Sequence, residues 1–402
     1  TWTNLLTQFP NIGIRSDSLS AIQFKAGSGY KIDGYVDNFK FGTSDGIDVY
    51  DFEPAPAVVF VDDDFTDADC GEHVCGYDAF ATIQAGINAV AANGTVNVAA
   101  GTYDAFKVVG KSGLTIVGAG SDKTIVAPTT LITTGKAHKY TSDMLASVFE
   151  DSSTGITLQG MTIKSTEATP GSGGADAIVF WNASSGEIKN SVIEGIYTIS
   201  GNQTGQGIAV DAGAGQTTTL AVTDTAIRGF QKNAIDVVDG NSLASNPGTI
   251  TLNTSGVSIT GAGPTDKIAQ NGIVFWNRGG GVINSTVSGG SISGFVYSPV
   301  SDAATGILNF GSGTGTIISI SGVTFSGNEV QVDDNQGNLN MAAIFSGNTF
   351  DKSVMIQGGH RIYTTIQEAI DDAIAGDTVN VGAGTYAENV DVTKAVTLLG
   401  PN

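Results

Sequence analysis

An all-β fold of stacked coils, opened by a short helix, is predicted by three features of this 402-residue chain. The first is a duplication. Residues 82–103 (TIQAGINAVAANGTVNVAAGTY) and 365–386 (TIQEAIDDAIAGDTVNVGAGTY) align without a gap, identical at 13 of 22 positions. Each copy reads as a short amphipathic helix, a TVNV strand and a Gly-Thr-Tyr corner, with a further strand after it (LTIVG at 114–118, VTLLG at 396–400). The second is a looser repeat. Six segments align on one apolar residue, at Ile178, Ile208, Ile235, Ile273, Ile307 and Val330. Their spacing suits one coil of three short strands, which cannot bury its own face and so must stack on its neighbours. The third is composition: 55 glycines, few prolines and 14% charged residues suit many short strands joined by tight turns.

The elements follow in order. Residues 1–54 carry strand-like alternation with Gly-Asp turns. Within them GYVDNFKFG and YDFEP resemble the closing strands of a lectin-like (laminin G or concanavalin-type) sandwich, implying the tail of such a domain. Residues 55–78 read as an acidic linker, and 79–358 as the coil stack. Residues 359–402 read as the opening of a second module, reaching Asn402 where its first coils form. The duplicated opening, with its helix, TVNV strand and GTY corner, resembles the N-terminal cap and first coils of the right-handed parallel β-helix, the pectin-lyase-like architecture. That resemblance implies the fold. It also places Gln84 and Gln367 in the two cap helices.

Strand alternation then assigns faces. Phe180, Val210, Val237, Phe275, Asn309 and Val332 point inward with the anchors. Val179, Ala209, Asp236, Val274, Leu308 and Gln331 form one outward column. Trp181, Asp211, Val238, Trp276, Phe310 and Asp333 form the next, with Asn182, Asp239 and Asn277 at the following corner. Such a face has three readings: loops of this chain cover it (195–206, 241–247, 261–269), another subunit covers it, or it is a polysaccharide groove. In the groove reading Trp181, Trp276 and Phe310 stack on sugar rings, Asn182 and Asn277 contact ligand, and Arg278 clamps substrate or acts as a lyase base. Asp211, Asp236 and Asp239 then supply an acid and a base or nucleophile. Strand geometry puts the Asp211 and Asp236 Cα atoms roughly 8 Å apart, near the spacings glycosidases use.

Other residues bound the function. A net charge of −21 argues against nucleic acid and anionic membranes as partners. No run approaches the ~20 apolar residues of a membrane span, and no signal peptide opens the chain, as expected of a mature or excised piece. Cys70 and Cys75, the only cysteines, suggest a local disulfide and an oxidising, extracellular setting. Among the linker acids, Asp62, Asp64 and Asp67 suit calcium chemically, although their spacing fits no EF-hand loop and a solvated linker is the plainer reading; no cofactor is required. The motifs of pectin methylesterases, polygalacturonases and pectate lyases are missing, apart from an isolated Asp333-Asp334 pair, and His73, His138 and His360 fall outside the central coils. The expectation is therefore an extracellular structural or adhesive module, part of a surface or filament assembly, with other copies of itself and glycans as partners. A polysaccharide hydrolase or lyase is the alternative.

Overall fold

The computed structural model describes residues 39–43, 46–50, 54–137, 143–166, 175–197, 201–239, 248–298 and 303–401. Contacts divide the chain into two units, Thr1–Pro54 and Ala55–Asn402. In the first, Phe39–Thr43 and Gly46–Tyr50 pair as an antiparallel hairpin. The remainder of the segment read as a lectin-like tail lies outside the described residues.

The second unit is a right-handed parallel β-helix. Each coil gives one strand to each of three sheets, as in Asp176–Trp181, Ser185–Lys189 and Val192–Glu194. The next coil begins at Ile208–Asp211, with Ile178 opposite Ile208. The anchors Ile235, Ile273 and Ile307 continue that line. In the last repeat the register differs from the sequence reading: Val332, not Val330, lies opposite Ile307. VQVDD offers two β-branched anchors two residues apart, and a period of two cannot choose between them. The choice is made by polar pairing. At this register Asn309 Nδ2 donates to Asp334 Oδ1 at 2.7 Å, and the same carboxylate accepts the Gly337 and Leu339 amides. Asp333 thereby takes the outward place beside Leu308 that the alternation gave to Gln331.

One residue per coil makes the turn from the second sheet to the third. Gly160, Asn190, Asp224, Gly256, Gly289 and Gly322 all have positive φ and stack in line, each amide bonding to the next coil's carbonyl. Only Gly, Asn and Asp adopt that conformation readily. The recurrent pieces ITLQGMTI, EIKNSVIEG and LAVTDTAIRG carry one of the three at this point. A second small-residue column comes from crowding. A Cβ on Gly272 would lie 3.0 Å from Ile292 Cγ2, and one on Gly306 3.1 Å from Phe325 Cδ1. Inside the coils runs one continuous core with Phe180, Phe275, Phe295 and Phe325 fully buried.

The duplicated openings share the same caps and side-chain clamps. Helix α1 (Ile83–Ala89) is capped by Thr82, which accepts from the Ala85 amide. Helix α2 (Met341–Gly347) closes the C-terminal end of the coil stack with Met341 and Ile344. Helix α3 (Ile366–Asp372) repeats α1, with Thr365 accepting from the Glu368 amide. Gln84 Oε1 accepts from the Lys107 amide at 2.8 Å, and Gln367 Oε1 from the Asp391 amide at 2.7 Å. Tyr103 donates to the Ala99 carbonyl and Tyr386 to Gly382, four residues back in both copies. The copies differ in what precedes the helix. Val58–Val61, inside the segment read as a linker, is a strand parallel to both Ala79–Phe80 and Thr95–Val98. Its counterpart Val354–Ile356 runs antiparallel to Arg361–Tyr363 and Thr378–Val381. The first connection spans residues 62–78 and the second only 357–360; a parallel crossover needs the longer chain, and a short loop forces a hairpin. Arg361–Tyr363 also pairs antiparallel with Val330–Asp334, so the second opening continues the first β-helix's sheet. No helix among the described residues is long and apolar enough to cross a membrane.

Candidate functional site

The aromatic column exists as the alternation predicts: Trp181, Asp211, Val238, Trp276 and Phe310 are successive partners across five strands. Burial divides it. At its N-terminal end Trp181 is covered, packed with Met144, Ala146 and Phe149 of the strand Asp143–Asp151 and with Ile132 of the strand before it. The three carboxylates expected in an open groove are buried as well: Asp211 is 2% exposed, Asp236 0% and Asp239 3%. Their predicted exposure is thus corrected. Asp239 closes a corner, its two oxygens accepting from the Arg278 and Gly281 amides at 2.8 and 3.1 Å. The corner asparagines do similar work. Asn277 is buried, donating to the Gly281 carbonyl and Thr316 Oγ1. Asn182 adopts a left-handed φ of 47° and donates to Ser152 Oγ. Asn277 is thus committed to the corner, whereas Asn182 remains half-buried.

Toward the C-terminal end the same face opens into a cleft of about 940 Å³. One wall is the apolar shelf Val274, Trp276, Leu308 and Phe310; the other is the second opening, with Arg361, Tyr363, Glu368 and Asp372. Phe310 is 41% exposed, and its ring meets Trp276 edge-on at 5.5 Å between centroids. The Arg278 guanidinium lies 5.0 Å from the Trp276 ring centroid, within cation–π range. Across the cleft Arg361 donates from Nε and Nη2 to Asp333 Oδ2, at 3.1 and 2.7 Å, and its guanidinium lies 5.7 Å over Tyr363. Tyr363 in turn donates to Asp372 Oδ2 at 2.8 Å. Fixed aromatic surface thus faces a chain of planar polar groups.

Two carboxyls here are held above their ordinary range. Burial raises Asp333, outweighing the Arg361 guanidinium beside it. Burial also raises Glu329, although the Ala304 and Tyr297 amides donate to it. Sequence reasoning found one wall, through Trp276 and Phe310, and missed the other. Arg361, Tyr363 and Asp372 belong to the second opening, and only the antiparallel pairing of Arg361–Tyr363 with Val330–Asp334 brings them over the first module's face. The isolated Asp333-Asp334 pair was the one signal available.

The acidic residues of the linker bond to backbone amides. Asp62 Oδ1 accepts from the Asp64 amide, and Asp63 Oδ2 from the Thr102 amide of the GTY corner. Among the described residues no three His, Cys, Asp or Glu side chains come together as a metal site, so Asp62, Asp64 and Asp67 are not gathered around a calcium position. Cys70 and Cys75 form a disulfide with their Cα atoms 5.5 Å apart.

The sequence matches no protein-family model and no curated protein. Among solved structures it is similar to pectin methylesterase PemA from Erwinia chrysanthemi, at 12% identity over 86% of this chain and 94% of that one, with a TM-score of 0.39. It is similar also to a pectin methylesterase from carrot, at 12% identity over 73% and 81%, TM-score 0.40. A third is the Dettilon tailspike protein, at 11% identity over 76% and 61%, TM-score 0.25. At these identities the likeness concerns the fold alone.

Proposed function

We propose that this chain is an extracellular adhesive module whose β-helix binds a polysaccharide segment in the cleft between Trp276 and Arg361. The observation that carries the proposal is the pairing of a half-open Trp276–Phe310 shelf with oriented polar groups in one cleft. Sugars present apolar ring faces and equatorial hydroxyls, and sites that hold them combine aromatic surface with a few fixed polar groups. The disulfide supports an oxidising location. Assembly with further copies of the chain belongs to the same proposal, and sedimentation velocity in the presence and absence of polysaccharide reports it. Catalysis by Asp211, Asp236 and Asp239 is not part of it, because their burial denies them substrate. A hydrolase reading survives only through Asp333 and Glu329, whose carboxyls are shifted toward the protonated form at the cleft.

Affinity electrophoresis against a panel of soluble polysaccharides tests the proposal. Retardation by at least one polymer, lost in Trp276→Ala and in Phe310→Ala while the circular dichroism spectrum is kept, is the expected result. No retardation by any polymer, or retardation unaffected by both substitutions, sinks it. Release of reducing ends that disappears in Asp333→Asn would move the assignment to hydrolase.

A further inference from the structure

We infer that the glycan taken by this cleft is a cationic, amino-sugar polymer rather than a neutral or acidic one. The inference rests on the cleft reading above and adds the charge of the ligand. Five carboxylates line the cleft: Glu329, Asp333, Glu368, Asp371 and Asp372. Its cations are already engaged within the protein. Arg361 is paired with Asp333 and, at 4.0 Å, with Asp372; Lys267 is paired with Asp266 at 3.4 Å, and the Lys232 ammonium donates to the Ala269 carbonyl. Among the described residues, no Lys or Arg forms an ion pair with Glu329, Glu368 or Asp371. The cleft lining thus carries more acidic than basic side chains, five against three, on a molecule of net charge −21.

The duplication supplies an internal control for whether the fold needs those acids. Helix α1 carries Ala85, Asn88 and Ala89 where α3 carries Glu368, Asp371 and Asp372. Both helices keep the same threonine cap and the same glutamine clamp. The scaffold thus forms without the acids, and they appear in the copy whose helix borders the cleft. Asp371 and Asp372 also sit toward the C-terminal end of α3, where the helix dipole disfavours negative charge, whereas Glu368 stands in the first turn and accepts from the Thr365 hydroxyl. Lys394 offsets part of that by donating to the Asp371 and Ala373 carbonyls, not to the carboxylates. An ammonium-bearing sugar meets this geometry on both walls. Its nitrogen faces Asp371 and Asp372 on one wall while a ring face lies on Trp276 on the other.

Calorimetric titration tests this with three oligomers of one length and linkage: glucosamine, N-acetylglucosamine and glucose. The glucosamine oligomer should bind roughly three- to tenfold tighter than either neutral one at low salt, a margin set by two exposed charge contacts. That margin should vanish at high salt and in Asp371→Asn/Asp372→Ala, which installs the residues α1 carries and so keeps the helix. Equal affinity for all three oligomers, or a margin that survives the double substitution, overturns the inference and leaves the cleft reading standing. Binding of none of them, beside retardation by another polysaccharide, overturns the inference alone; binding of no glycan at all removes both.

Discussion

Glu150 is the buried group whose replacement tests the interior of this β-helix most sharply. It lies between Val108 and Phe180 in the inward column, 1% exposed, and its Oε1 has no hydrogen-bond partner. Burial pushes its carboxyl well above the usual carboxylate range. Replacing it by methionine removes an unsatisfied buried acceptor, a gain of about 1–3 kcal/mol, and keeps the volume. The sign with pH follows from linkage. The folded pKa lies above the unfolded value, so the folded state holds the proton longer. Stability is then fully present below the unfolded pKa and falls as pH rises toward the folded one, by about 1.4 kcal/mol per unit. Above the unfolded pKa the wild type should therefore lose stability relative to Glu150→Met as pH rises toward 7. Urea denaturation of both proteins across that range measures the difference. A variant less stable than wild type at pH 7, or a gap between the two that does not widen with pH, would refute the placement of an unpartnered carboxyl in the core.

Three other consequences can be checked. Arg361→Ala leaves the buried Asp333 without its hydrogen-bond partner, a loss of about 1–3 kcal/mol with the guanidinium one-third exposed, and hydrogen exchange should show it as faster opening of residues 354–381 than of the central coils. Gly306→Val drives a side chain against the Gln331 carbonyl, 2.6 Å from the new Cβ, and Phe325, and should cost about 1–3 kcal/mol of unfolding free energy by overpacking, measured by urea midpoint. Reduction of Cys70–Cys75 releases a short loop worth at most roughly 2 kcal/mol by loop entropy, so the unfolding temperature should fall only slightly and the coils remain folded by circular dichroism.

Much of the architecture could be read from the residues because a β-helix writes its geometry as a period. The anchors Ile178 to Ile307, the facing alternation and the Gly/Asn/Asp turn ladder all depend on neighbours one coil away, and the repeat supplies those neighbours. The duplicated opening was legible for the same reason, down to Gln84 and Gln367. Burial was not. Whether Trp181 is wet depends on the strand Asp143–Asp151, whose Val148 lies opposite Ile178 but was not among the anchors read from the sequence. The last register depended on Asn309 meeting Asp334, a side-chain pairing that hydrophobic alternation does not encode. The second wall of the cleft depended on Arg361–Tyr363 folding back antiparallel, which followed from a short loop before it and not from the residues that form the site.

The chain has only three tryptophans, of which Trp181 is covered and Trp276 lines the cleft, so fluorescence reads the central claim most directly. Titration of a polysaccharide fragment that retards the protein should change tryptophan emission in wild type and in Trp181→Phe alike. The change should be absent in Trp276→Phe. An emission change that persists in Trp276→Phe, or that requires Trp181, would contradict a glycan seated on the Trp276–Phe310 shelf.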